Sequence, residues 1–381
     1  MSWPRATMLL PPPGGPAPET SREGTEPTMR PCLKPALRRA WRDRETLQFG
    51  VGPGHGGVLA ACPEEAEFLD LLDGTREFPA LAAEAARIGI SPERVDELLT
   101  GLRACDALDD STAHRPLLAL PPGERARLAP DLAALSLARP GPGAAPAALL
   151  ARRRARVEVR GAGRVGAAVA SLLAAAGVGR VRVRDSGRAL PEDASPAGLR
   201  PDDAGRLRID AARAAVRRAA PGQPDETAGA QRAPDLVVVA PRGLPDPELG
   251  QALQQAALPH LYAGVVETVG SVGPLVLPGV TPCGRCRSCH RSDADPSWPL
   301  LLAQHCSSRN GLGSSPGAAC DATLAATVAA TAALHALIFL DGGTPPSLGG
   351  WVDISMVDGS MRRRPLDPHP DCGCCWQAGA E

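Results

Sequence analysis

The sequence predicts an α/β protein. Its main body is a Rossmann-like, mostly parallel sheet with flanking helices and a structural zinc site, preceded by a small winged-helix-like α+β module. Three observations predict this. A glycine turn, Gly161-Ala-Gly163-Arg-Val-Gly166, follows the strand-like Arg156-Val-Glu-Val-Arg160 and opens a helical segment. The run Leu236-Val-Val-Val-Ala240 is apolar throughout, as a strand covered on both faces requires. Two short cysteine pairs, Cys283-Gly-Arg-Cys286 and Cys372-Gly-Cys374, lie downstream with the spacing of metal ligands.

At 381 residues the chain has room for two domains and a full hydrophobic core. Its 41 basic and 42 acidic residues leave a net charge of -1, so nothing in the composition supports nucleic acid or a membrane surface as a partner. Lys34 is the sole lysine, which rules out a catalytic lysine anywhere beyond it. Met8-Leu9-Leu10 runs directly into Pro11-Pro12-Pro13, so no export signal is expected and the reading is cytoplasmic. Eleven cysteines form no even disulfide framework, and their clustering argues for metal in a reducing compartment.

Residues 1–30, rich in Pro, Gly, Thr and Glu without apolar period, are expected as a disordered tail. Residues 31–112 form the small module. Thr46–Val51 and Gly57–Ala60 read as strands, and Glu65–Leu72, Phe78–Arg87 and Ser91–Leu102 as helices. Ser91 ahead of Pro92 is a capped start. Residues 113–150, dense in Pro, Gly and Ala, read as a linker with a short helix over Asp131–Ala138. From 151 to 381 the nucleotide-binding type of domain follows. Arg156–Arg160, a helix over Arg164–Ala176 stopped by Gly177, and Gly179–Arg184 make a βαβ unit. Asp210–Ala219 and Pro245–Ala257 read as helices, and His260–Val266 and Ser271–Leu277 as strands. Ala318–Leu340 contains Asp321, three Thr, His335 and much Ala, so it reads as a buried helix ended by Gly342 and not as a membrane span.

In the turn, Gly161 permits the tight bend, Gly163 lets a phosphate approach the backbone, and Gly166 lets helix and strand pack closely. Asp185, 19 residues after Gly166, is placed to bind ribose hydroxyls, and Arg164 to meet a phosphate. The bland alternative is a glycine turn kept for packing. Cys283, Cys286, Cys372 and Cys374 supply four thiolates for a closed zinc site, which would clamp the C-terminal segment onto a loop 86 residues upstream. Cys375 and His369 are spare donors for its fourth position. Cys286-Arg-Ser-Cys289-His290 also spells a c-type haem attachment pattern, which conflicts with the absent export signal. Cys289, Cys306 and Cys320 are candidate nucleophiles, the first two beside His290 and His305.

Together these residues resemble the ThiF/MoeB/HesA family, relatives of ubiquitin-activating enzymes. The likeness runs from Arg156 to Cys375 through the glycine turn, Gly205-Arg-Leu-Arg208-Ile-Asp-Ala-Ala-Arg213, Pro234-Asp-Leu-Val-Val-Val239, Thr281-Pro-Cys-Gly-Arg-Cys286 and the last cysteine pair. The resemblance implies a ThiF-type fold, a crossover loop over Arg287–Pro316, a homodimer, and ATP-dependent adenylation of the C-terminus of a small carrier protein or peptide. It places the family's catalytic arginine on Arg200 and its ATP-contacting lysine on Arg208. The family's magnesium-holding aspartate falls on Arg242, so magnesium (Mg2+) loses a ligand and meets a like charge. Leu47–Gly50, Leu71-Leu72-Asp73-Gly74-Thr75 and Leu108-Asp109-Asp110 resemble small leader-peptide-binding domains of ribosomal-peptide-modifying systems. On these grounds the chain reads first as an adenylyltransferase that binds ATP and activates a small ubiquitin-like carrier protein or peptide, with a scaffold that binds peptide and delivers it to a partner modifying enzyme as the alternative. A nicotinamide-dependent dehydrogenase explains the glycine turn and Asp185 but not the cysteine quartet.

Overall fold

The computed structural model describes residues 29–52, 56–224, 232–306 and 319–375. All but two residues of the expected tail therefore lie outside the described residues. The chain divides into two compact units, Met1–Thr112 and Ala113–Glu381.

The first unit begins with β1 (Pro31–Leu33), β2 (Arg39–Trp41), β3 (Thr46–Phe49) and β4 (Gly57–Ala60), followed by α1 (Ala66–Leu71), α2 (Phe78–Arg87), α3 (Pro92–Ala104) and β5 (Leu108–Asp110). Strands β2, β3 and β4 form an antiparallel meander, and β1 pairs with β5. Leu47 and Phe49 point inward from β3 by simple alternation and join Phe68, Leu81, Leu98 and Leu102 in the core. Ser91 caps α3, its Oγ accepting from the Arg94 N–H at 3.2 Å. The lone lysine is buried here, with Lys34 Nζ 2.7 Å from Asp106 Oδ2.

In the second unit, residues 113–150 are not the expected linker. They form α4 (Pro122–Ala138) and, with its end beyond that range, α5 (Ala144–Arg154). Leu117, Leu128, Leu135, Ala145 and Leu149 bury themselves in a shared cluster. A leucine stripe at helical spacing (Leu128, Leu132, Leu135) outweighs the Pro and Gly content around it.

The remaining elements are β6 (Arg156–Arg160), α6 (Arg164–Ala175), β7 (Arg180–Arg184), α7 (Arg208–Ala219), β8 (Leu236–Val239), α8 (Pro247–Gln255), β9 (His260–Val266) and β10 (Val269–Val276). After them come α9 (Gly284–Ala294), α10 (Trp298–Cys306), α11 (Ala322–Leu340), β11 (Gly350–Ser355) and β12 (Met361–Pro365). One seven-stranded sheet runs β12-β11-β10-β9-β8-β6-β7. Strands β7, β6, β8 and β9 are parallel neighbours, and β10, β11 and β12 extend them antiparallel. The sheet is thus more mixed than the sequence suggests. The two added strands are hard to read: β12 is Met-Arg-Arg-Arg-Pro, exposed along its whole length at the sheet edge.

The stretch expected as a crossover loop is partly helical, because α9 continues to Ala294 and α10 follows. Trp298 pins the two, its Nε1 donating to Ser288 Oγ at 3.0 Å while the Arg291 guanidinium lies 3.6 Å over its ring. Residues 307–316 of that stretch lie outside the described residues.

Helix α11 has a membrane span's length and a mean hydropathy of 1.9. Its Leu324, Ala325, Val328, Ala329, Ala332, Ala333 and Ala336 are nonetheless buried in the main core, where it packs on α6, β9 and β10. Alanine on both helices lets α6 and α11 approach closely. The end of α11 is tied to α5 by a buried two-pronged ion pair, Arg152 Nε and Nη2 lying 2.7 and 2.6 Å from the Asp341 oxygens.

Removing one partner strands the other charge in a site where both side chains are at most 9% exposed. Asp341→Ala is therefore expected to cost about 3–5 kcal/mol, and an Arg152→Leu/Asp341→Leu pair to recover most of it. Urea unfolding midpoints of the three proteins check this.

Candidate functional site

The glycine turn sits where β6 hands over to α6. Gly161 has φ +103° and packs so tightly that a Cβ there would lie 2.0 Å from the Ala240 carbonyl oxygen. A Cβ on Gly166 would lie 2.0 Å from the Gly161 oxygen, so helix and strand pack as closely as the pattern implies. These two glycines have a packing reason independent of any ligand.

Asp185 stands at the end of β7, as expected, with its carboxylate engaged inside the protein. Its Oδ2 accepts from the Ala162 N–H at 2.8 Å, and its Oδ1 from the Gly187 N–H at 2.7 Å and from Arg208 Nε at 3.0 Å. Arg208, at the first turn of α7, also lies 3.6 Å from Asp193 Oδ2. Arg164 does not reach free space either: its Nε donates to the Glu192 carbonyl and its Nη1 to the Cys320 carbonyl at 2.6 Å. Arg200 is exposed and stands apart from this network, its backbone N–H donating to Asp203 Oδ2 at 2.9 Å.

Two residues the sequence reading missed complete the cluster. Asp193 is buried, with Oδ1 3.3 Å from Arg242 Nε; Glu192 Oε1 is 3.4 Å from Arg242 Nη2. The stem of Arg242 crosses the middle of the glycine turn, its Cγ 3.1 Å from where a Gly163 Cβ would sit. That is the face a phosphate would approach. The carboxylates beside it are paired with guanidinium groups, so this donor set does not fit a magnesium ion. Only Pro191-Glu-Asp193 in a short helical turn could have signalled Asp193, whose Oδ2 accepts from the Leu190 N–H at 2.9 Å.

The cysteine quartet does assemble. The Sγ atoms of Cys283, Cys286, Cys372 and Cys374 lie within 4.8 Å of one another, with Cys283 to Cys372 at 3.5 Å and Cys286 to Cys374 at 3.3 Å. Tetrahedral zinc with bonds of about 2.3 Å needs sulfurs roughly 3.8 Å apart, so the group fits. Zinc held there would be structural, with every ligand position filled by protein. Cys283 is drawn down to about 4 by the hydrogen bond it receives from Cys286, while burial pushes Cys372 up to about 12. Cys286 is raised by giving that bond, and Cys374 by burial.

His369 supports the quartet without joining it. Its backbone N–H donates to Cys286 Sγ at 3.4 Å and its Nδ1 accepts from the Asp371 N–H at 3.1 Å. The ring proton is thereby left on Nε2, 2.8 Å from Asp293 Oδ2. The same tautomer argues against metal in the neighbouring group of His290, Asp293 and His369. Cys375 Sγ lies 3.5 Å from Cys374 Sγ. With Cys286 in the quartet, the haem-like spelling through Cys289 and His290 lacks its first thiol. His290 Nε2 instead faces the Asp367 carbonyl at 3.0 Å. Burial raises the Cys320 thiol, the opposite of what a nucleophile needs. The Cys306 side chain lies outside the described residues.

A cavity of about 710 Å³ opens beside the quartet, between the ends of β8, β9 and β10 and helices α8, α9 and α10. Pro241 and Gly243, on either side of Arg242, lie on its wall, so the cavity begins where the arginine covers the turn.

A parallel βαβ unit with this glycine turn, an antiparallel extension of the sheet and a four-cysteine clamp define the ThiF type of fold. Residues 143–228 match the model of the ThiF family. No curated protein matches the sequence. Among solved structures, the microcin C7 biosynthetic enzyme MccB in complex with N-formylated MccA has a TM-score of 0.64 at 16% identity, covering 91% of this chain and 99% of that one. E. coli MccB with ATP gives the same figures, 0.64, 16%, 91% and 99%. The heterocyclase TruD has a TM-score of 0.56 at 16% identity, covering 92% of this chain and 43% of TruD. Such identities make the likeness one of fold.

Two outcomes follow from the geometry. Gly161→Ala adds a backbone clash to left-handed strain and is expected to cost more than Gly205→Ala, where φ is +85° but no atom lies within 4 Å. The strain alone is worth about 1–3 kcal/mol, and the difference in denaturation midpoint reads the crowding. Cys372→Ser is expected to lose bound zinc, measured by elemental analysis, and to lower Tm by about 4–8 °C for a loss near 2 kcal/mol.

Proposed function

We propose that this chain is a peptide-binding scaffold of the ThiF fold that presents a peptide to a partner modifying enzyme. The observation that carries this reading is Arg242 lying over Gly163 while paired to Asp193 and Glu192. A guanidinium there occupies the approach to the turn and neutralises the carboxylates that a magnesium ion would use. The neighbouring cavity is large enough for a few peptide residues and offers both apolar and polar walls. More than half of TruD has no counterpart in this chain, which covers 43% of it. In this reading residues 31–112 capture the leader part of the peptide, zinc in the quartet keeps the C-terminal segment against α9, and the protein works in the cytoplasm as a homodimer.

Adenylation of a small carrier protein or peptide is the second reading, favoured by the complete glycine turn and by Arg208 beside Asp185. There Arg200 and Arg208 would carry the family's catalytic roles toward ATP. Calorimetric titration of zinc-loaded protein with magnesium and ATP separates the two. The scaffold reading expects no saturable binding by the wild type and a gain on Arg242→Asp, which removes the cover and restores a carboxylate. Wild-type binding at micromolar Kd, with peptide-dependent pyrophosphate exchange, would replace it with adenylation.

A further inference from the structure

The cavity beside the quartet is lined by charged side chains as well as by three of the cysteines. Among the described residues its walls carry Arg285, Arg287 and Arg291 against one carboxylate, Asp246. Asp246 caps α8, its Oδ1 accepting from the Glu248 N–H at 2.9 Å. Arg291 is stacked on Trp298 at 3.6 Å. Arg287 differs from both. Its guanidinium lies 4.4 Å over the Trp351 ring, and its Nη1 donates to Ser271 Oγ at 3.2 Å and to the Gly273 carbonyl at 3.4 Å, both neutral acceptors. Asp353, the acidic residue on the same strand as Trp351, acts on Arg287 through space without a hydrogen bond to it. Its oxygens are taken by Trp351 Nε1 at 2.8 Å and Arg364 Nε at 3.4 Å.

Arg287 is therefore a partly buried cation with no carboxylate in direct contact among the described residues, and its Nε and Nη2 make no hydrogen bond there. Withdrawing a charge from water with no counter-ion in direct contact is costly, and the two free donors leave room for an anion that arrives later. The planar fork of a guanidinium matches a carboxylate with two parallel hydrogen bonds, and its fixed stacking on Trp351 removes much of the ordering cost. The first turn of α9, with Gly284 on the cavity wall, adds its partial positive charge on the same side.

We infer that Arg287 is the specificity-determining anchor of this cavity and binds a carboxylate of the incoming peptide, either its C-terminus or an Asp or Glu side chain. This rests on the reading of the cavity as the peptide site. Cavity walls from β8 to β10 then supply apolar contact, and the Arg287 pair sets register.

The test uses full-length, zinc-loaded protein and three short probes: the tetrapeptide Ala-Leu-Ala-Ala acetylated with a free C-terminus, the same peptide amidated, and acetyl-Ala-Leu-Asp-Ala amidated. Binding is read by tryptophan fluorescence, to which Trp351 and Trp298 report, and by calorimetry. At least one carboxylate probe is expected to bind tenfold or more tightly than the neutral one, and which of the two does so tells terminus from side chain. Arg287→Met is expected to erase that preference while zinc content and Tm hold, and Arg287→Lys to keep part of it. Binding of all three probes with equal affinity overturns the anchor but leaves the peptide site standing; no binding of any probe overturns both. Loss of zinc from Arg287→Met and Arg287→Lys alike, with the preference unchanged in the zinc-bound fraction, would mean that the arginine serves only to balance the thiolates.

Discussion

The close crossing of the β6–α6 turn under the carboxyl end of β8 constrains everything around the site. No atom larger than hydrogen fits between Gly161 and the Ala240 carbonyl, which a Cβ would meet at 2.0 Å. This contact fixes where the next residues of the β8 strand end go. Pro241 and Gly243 turn to the cavity wall, and Arg242 is delivered across Gly163. The same crossing brings Asp185, at the end of the adjacent strand, to the Ala162 N–H at 2.8 Å. Geometry of the kind that frames a nucleotide here has the Arg242 stem across its middle glycine.

Charge compensation follows from that filling. Arg208, Arg242, Asp185, Asp193 and Glu192 form a chain of alternating charges, with the Asp193 side chain 3% exposed at its centre. Buried charges of this kind are stable as a set, because each carboxylate meets a guanidinium or a backbone N–H, and costly to break singly. The network therefore holds its shape without ligand. Arg287, next in the chain to the quartet's Cys286, presents a different case, a guanidinium whose side-chain hydrogen bonds go only to neutral acceptors.

The quartet and the cavity are one construction. Cys283, Cys372 and Cys374 line the cavity, so whatever clamps the C-terminal segment also sets one wall of it. The backbone N–H of His369 on Cys286 and its ring on Asp293 tie that segment to α9 a second time. Shape at this wall is thus decided jointly by residues more than 80 positions apart in the chain.

By itself the sequence determined the local features. The run of strands and helices from Arg156 to Val276, the glycine turn with Asp185 at the next strand end, and the pairing of cysteines by spacing are all written in neighbouring residues. Backbone sterics and side-chain periodicity act over a few residues, so they are legible there. The leucine stripe that makes α4 and α5 was present but masked by Pro and Gly, and β12 has no apolar alternation to read. Only the tertiary structure decided how the site is occupied. That Arg242 covers Gly163, that Asp193 bridges two arginines, and that Arg287 donates to neutral acceptors depend on strands and helices meeting from distant parts of the chain. Ion pairing and burial are properties of that meeting, and no spacing in the sequence encodes them.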